Sequence, residues 1–330
     1  MPLVALLTLA CAGRGPSPDQ LVGVDIVEES VPQALTLTGS AAVAASEISG
    51  MTWWGNNLAL LPQYGAGGDP EAPCVYLIEA DAIAAAIADG TPLQPRELPI
   101  DASSLSIDGF EGYEAIVFDG ARAWVSVEAS PDAGMRAWLV PATLSGDTLV
   151  LEGDAAVEVV GQAGLPNKSE ETLLLLDDRI CSIYEANGET VNPSPVAHCF
   201  DRYLAPVEQP TMTPVSYRVT DATAPDEEGR FWVSNFNFKG SDLDEPAVDV
   251  EAHIHGFGES HTRSANVERL LELQATVGGF VRTETPPIWL QLREDDEGRN
   301  WEGIARWRDG GLLIVTDKFP ETILAWVPPR

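Results

Sequence analysis

One hairpin pattern returns five times along this chain, and it limits the fold more than any other feature. Its clearest copy lies in Asn300 to Phe319, NWEGIARWRDGGLLIVTDKF. An apolar strand from Ile304 to Trp307 meets a turn at Asp309-Gly310-Gly311, and a second apolar strand runs Leu312 to Thr316. Gly and Asp punctuate short apolar runs as hairpin turns do. Glu302 opens this hairpin and Asp317 closes it. The other copies run from Ser49 to Gln63, Glu114 to Glu128, Glu171 to Glu185 and Asp221 to Asn235. The polar ends are 14 residues apart in those four and 15 in the fifth (63−49, 128−114, 185−171, 235−221, 317−302).

Each hairpin is followed by further apolar runs, such as CVYLIEA after the first and MRAWLVPATL after the second. A unit of about four strands repeating at this distance is the signature of a β-propeller. The expected fold is therefore all-β, with five four-stranded blades in one domain from 22 to 330. A sixth blade is the alternative if the long segment Ala247 to Pro287 hides a unit. Ala80 to Asp89 is the one clear helical run. The last unit, TILAWVPPR, is one strand short, and Ala34 to Ala42 would complete it, closing the ring and removing its open edges.

In a propeller the first strand of each blade lies nearest the axis. The repeat therefore gathers the polar ends at one mouth: Ser49, Glu114, Glu171, Asp221 and Glu302, beside Gln63, Glu128, Glu185, Asn235 and Asp317. Asn300 and Glu47 precede two first strands and would join them. Clustered carboxylates do not all stay ionised without help. Carboxylate, amide and hydroxyl oxygens without Cys or His suit Ca²⁺, and Arg or Lys is the other means of neutralisation. Singly, any of these acids would simply solvate a rim; together they make the expected binding site.

The whole chain is acidic, with 51 Asp and Glu against 19 Lys and Arg and a formal charge of −32. Such a field repels nucleic acid and free polyanions. The start, MPLVALLTLACAGRGPSPDQ, has an apolar run too short to span a bilayer, then Cys11, small residues and a Gly/Pro/Ser tether. It reads as a lipoprotein signal and tether over 1–21, although its first residues carry no Lys or Arg. Lipidation at Cys11 would anchor the protein to a membrane of the bacterial cell envelope, with the outer membrane as the default. In an exported protein Cys181 and Cys199, on neighbouring expected strands, are the couple to oxidise, leaving Cys74 over.

An insertion expected around 240–265, EAHIHGFGESHT, holds His253, His255 and His261. It reads first as a polar loop over the mouth. As chemistry it offers a metal-binding group or a general base, with His253 and His255 as the candidates. Trp53-Trp54 reads as blade packing before sugar platform. No G-x-S-x-G elbow, phosphate loop or dinucleotide fingerprint is present.

EISGMTW, EGYEAIVF, RFWVSNFNF and NWEGIARWRDGGLLIVTD resemble the phytase-like (esterase-like) propeller family of secreted bacterial proteins, over about Glu47 to Pro328. The resemblance implies a calcium-binding propeller and an ester or phosphoester hydrolase. Ser49 and Gln63 depart from the acids of the other blades, and Lys and Arg are scarce for a phytate cleft. Three functions follow from the sequence. One is a cell-surface module binding a protein or small molecule at its mouth. Another is a calcium-dependent hydrolase in which Glu114 and Glu302 are the catalytic candidates. The alternative is a five-bladed glycosidase working with paired carboxylates.

Overall fold

Short apolar runs broken by Gly, Asp and Asn leave a chain little choice but to pair locally, and the hairpins do so. The computed structural model describes residues 23–131, 134–241, 243, 248–308 and 310–330. Cys11 and the whole of the expected signal and tether, 1–21, lie outside them. Five blades surround an axis, and their inner strands are Ile48–Trp54, Phe110–Asp119, Glu170–Leu176, Arg218–Ala222 and Trp301–Arg306. Each inner strand packs on the next around the ring, and the fifth packs on the first.

Blades 1 and 2 join through their outer strands, Arg96–Asp101 lying parallel to Thr148–Leu151. Blade 3 has three strands, ending at Ala197–Asp201, one fewer than expected. The segment expected to hide a sixth blade is absorbed by blade 4, whose strand Val267–Thr276 pairs with Gly279–Arg282 and with Ile288–Trp289. Blade 5 is completed by Gln33–Leu35, which pairs with the final strand Leu324–Val327. The closing strand is therefore shorter than Ala34 to Ala42, and Gly39–Ala42 turns into a 3₁₀ helix instead. The helix Ala80–Asp89 forms as expected and stops at Gly90, whose φ of 79° suits only a residue without a Cβ.

Side chains alternate between the two faces of a strand, so each blade feeds two seams. Leu58 and Leu60 face blade 5, for example, while Ala59 and Leu61 face blade 2. Five apolar clusters each fill one seam between neighbouring blades. Each buried Leu, Ile or Val there contributes about 1.5–3 kcal/mol. Trp53 and Trp54 belong to this packing, stacking towards Trp307 and Phe118. Cys181 and Cys199 are directly opposed in register and form a disulfide inside blade 3, and Cys74 is free and buried.

Candidate functional site

Every inner strand carries a register break near its start: at Ile48/Gly50, Tyr113/Ala115, Glu170/Thr172, Val219/Asp221 and Trp301/Gly303. The residue skipped at such a bulge is left out of the ladder and its side chain is re-aimed. The skipped residues are Ser49, Glu114, Glu171, Thr220 and Glu302. Three carboxyls thereby turn towards the axial pocket. The strands are pinned from the preceding blade: a hydroxyl takes the carbonyl of the residue before each glutamate. Ser49 Oγ donates to Tyr113 O at 2.6 Å, Ser126 Oγ to Glu170 O at 2.7 Å, and Thr220 Oγ1 to Trp301 O at 2.5 Å.

The inner strands also approach closely. A Cβ on Gly303 would lie 2.8 Å from Met51 Cβ, and one on Gly50 would lie 3.0 Å from Glu114 O. The small residue of the S-G-M and E-G-I motifs is thus set by contact between blades.

Blade 4 departs from the expected alignment by one residue on each strand. Thr220, not Asp221, is its bulge residue, and Phe236, not Asn235, stands where the other blades have Gln63, Glu128, Glu185 and Asp317. A slip of one residue moves a side chain to the opposite face, and both polar groups do other work. Asp221 Oδ2 accepts amide protons from Ile304 at 2.9 Å and Met51 at 3.3 Å, holding blades 4, 5 and 1 together. Burial pushes its carboxyl well above the usual range, against those backbone hydrogen bonds. Asn235 donates to the carbonyls of Ser216 and Arg218 and accepts from Arg269.

The remaining groups surround a pocket of about 840 Å³. Glu114, Glu128, Glu171, Glu302 and Asp317 line it, as do Glu47 and Asn300. Glu185 does not; it is fully buried beneath Arg218. Arg218 is the residue that the sequence reading missed. Its guanidinium bonds to Glu185, to Asn300 Oδ1 at 3.2 Å, to Glu302 at 3.3 Å and to Glu171 at 3.5 Å. Asn300 carries the link on, donating to Glu302 and to Asp317 Oδ2 at 2.9 Å.

Charge is therefore unevenly met around the mouth. Lys318 pairs with Glu47 at 2.6 Å and Lys239 with Asp296 at 3.0 Å. On blade 2, Glu114 receives the amide of Gln63, at 3.1 Å. Burial, then Glu128, Glu171 and Glu302, push the Glu114 carboxyl well up. Burial, then Glu171, push Glu128 up to about 7, with Ser169 and Lys168 pulling the other way. Burial and then Asp317 raise Glu302 well, and burial raises Glu171 and Asp317 against the pull of Arg218.

The fold divides the residues expected to hold Ca²⁺. Arg218 engages Glu171, Glu185, Glu302 and Asn300, and Asp221 and Asn235 face protein partners. Among the described residues no group of three or more His, Cys, Asp or Glu is arranged to hold a metal.

The three histidines do not converge, and none lines the pocket. His253 and His255 sit on the helix Val250–His255. His261 is buried against Trp289, bonded to Glu29 at 2.8 Å. The expected loop over the mouth is instead packed structure beside blade 4, as far as its described residues show.

No protein-family model matches the chain, and no curated protein matches it. Solved structures do. The soluble aldose sugar dehydrogenase from Escherichia coli is 12% identical over 91% of this chain and 99% of its own, with a TM-score of 0.46. An alpha-L-arabinofuranosidase from Clostridium thermocellum is 12% identical over 82% and 81%, at 0.48. The GH43_1 enzyme from Xanthomonas citri is 8% identical over 91% and 90%, at 0.49. At this distance the likeness concerns the path of the chain, and no activity is transferred from it.

Proposed function

We propose that this propeller is a binding module whose axial mouth takes up a small polar ligand. The observation that carries the reading is the pocket itself. Its volume is that of a small-molecule site, its polar groups converge from all five blades, and hydroxyls from neighbouring blades fix its carboxyl-bearing strands. Tyr64, Phe236, Phe238 and Phe319 give it apolar wall. The test is a fragment screen read by ligand-observed NMR. Hits should vanish in Gln63→Trp, which plugs the pocket beside Glu114. Hits that survive in a normally folded Gln63→Trp protein would sink the proposal.

A second reading is hydrolysis at the same mouth, favoured by carboxyls held in unlike environments, since such pairs divide acid and base roles. Glu128, titrating near neutrality, is the group to exchange a proton. The phytase-like ester or phosphoester reading with Glu114 and Glu302, and the glycosidase reading with two of the carboxylates, share this prediction. Nitrophenyl esters, phosphates and glycosides, each with and without Ca²⁺, separate them. Turnover that is unchanged in Glu128→Gln, Glu114→Gln and Glu302→Gln would remove the mouth from the chemistry.

We further propose attachment to the bacterial envelope, with the outer membrane as default, through a lipid on Cys11. The Cys181–Cys199 disulfide supports an oxidising compartment. Membrane association that persists in Cys11→Ser would refute the anchor.

A further inference from the structure

Blade 2 is where the mouth is left short of positive charge. Its inner hairpin, Phe110–Asp119 with Arg122–Ala129, sends Glu111, Glu114 and Glu128 to the pocket. The lining cations Arg218, Lys239 and Lys318 are each engaged with acids from other blades. Glu128 is 6% exposed and lines the pocket. Its carboxyl is met by the Ser169 hydroxyl and, through charge alone, by Lys168, which is one donor for two oxygens able to accept about four hydrogen bonds. A buried carboxyl that faces a cavity with accepting capacity left over has room for a further donor.

We propose, resting on the binding reading above, that the ligand is an organic cation whose protonated amine docks on Glu111, Glu114 and Glu128. An ammonium supplies three donors to carboxyls whose accepting capacity Gln63 and Ser169 only partly fill. The rest of the ligand has the aromatic wall to lie on. Phe238 and Phe319 are exposed at the mouth, 42% and 57%. Lys318 already rests its ammonium 5.5 Å from the Phe319 ring, so this wall accepts a cation. A bare metal ion would use neither the aromatic faces nor the cavity volume.

Binding displaces protons. Glu128 is faced by Glu111, Glu114 and Glu171 and by Lys168. An alkylammonium keeps its charge through neutral pH, while Glu128 gains its own between pH 6 and 8. Affinity therefore rises about tenfold over that interval, from the ionised fraction of a group at about 7.

The experiment compares 2-phenylethylamine, neutral 2-phenylethanol and CaCl₂ on the full chain by calorimetry at pH 6 and pH 8. The amine should bind, tightening with pH and releasing protons, and Glu128→Gln should weaken it at least about tenfold. Glu111→Gln, further out, should weaken it less while leaving folding intact. If the alcohol binds in the mouth as well as the amine, or Ca²⁺ binds better, the amine proposal is overturned and the pocket reading stands. If no fragment of any charge enters the mouth, both fall.

Discussion

Replacing Glu128 by Gln should stabilise the protein at pH 8 and barely affect it at pH 5. The folded carboxyl titrates at about 7 against 4.5 in its reference state. Between those values the folded chain holds the proton more tightly than the unfolded chain. Stability contributed by this group is therefore present at low pH and lost as pH rises through the interval. The loss at pH 8 is about 3 kcal/mol, and at pH 5 less than about 1 kcal/mol. Gln keeps the shape and removes the charge, so it recovers up to that amount. For a chain this long the gain is roughly 4 °C in melting temperature. Thermal melts of both proteins at pH 5 and pH 8, at fixed ionic strength, read it directly. A variant that matches the wild type at both pH values would show that the carboxyl is already neutralised, and the account of blade 2 as uncompensated would fail.

The other substitutions probe the frame around the pocket. Arg218→Met removes the cation shared by Glu171, Glu185 and Glu302, leaving Lys168 beside the first two, and should cost about 3–5 kcal/mol near neutral pH, with urea unfolding showing part of it recovered at pH 5. Gly303→Ala forces a methyl against Met51 and Val315 and should cost about 1–3 kcal/mol by overpacking, measured by the same titration. Reducing the Cys181–Cys199 bridge should lower stability by about 3 kcal/mol, since it closes a loop of 18 residues; melts with and without reductant check this. Glu29→Gln removes the charged acceptor for His261 and Ser260 and should speed hydrogen exchange in 257–263 while leaving mouth ligands bound.

The blades were legible because their signal is local. A hairpin needs only alternating apolar residues and a turn, and both lie within one repeat. The mouth was legible for the same reason, up to the register. Glu114, Glu171 and Glu302 carry one motif and reach one pocket. Blade 4 broke the pattern because constant spacing was imposed on it: its connecting loop, 223–229, is long, so Asp221 and Asn235 matched the count while Thr220 and Phe236 hold the positions. Arg218 was invisible for a different reason. It precedes the bulge by two residues, where other blades have nothing of its kind, and its partners come from the two flanking blades. Long-range pairing of that sort, like Glu29 with His261, leaves no trace in sequence spacing. The helix carrying His253 and His255 drew attention through residue type alone, and residue type said nothing about where the segment would pack.

The three residues Gln33–Leu35 have a consequence for how the molecule is made. Their partner is Leu324–Val327, the last strand of the chain. The ring therefore remains an open arc until nearly all of the polypeptide is available, and closing it joins segments almost a full chain length apart. Such contacts are the slowest to form. Until then the outer edge of blade 5 and the seam it shares with blade 1 lie bare. The final strand pairing thus does two things at once: it seals the core, and it completes the dry, crowded setting that raises the carboxyls of Glu114, Glu128 and Glu302.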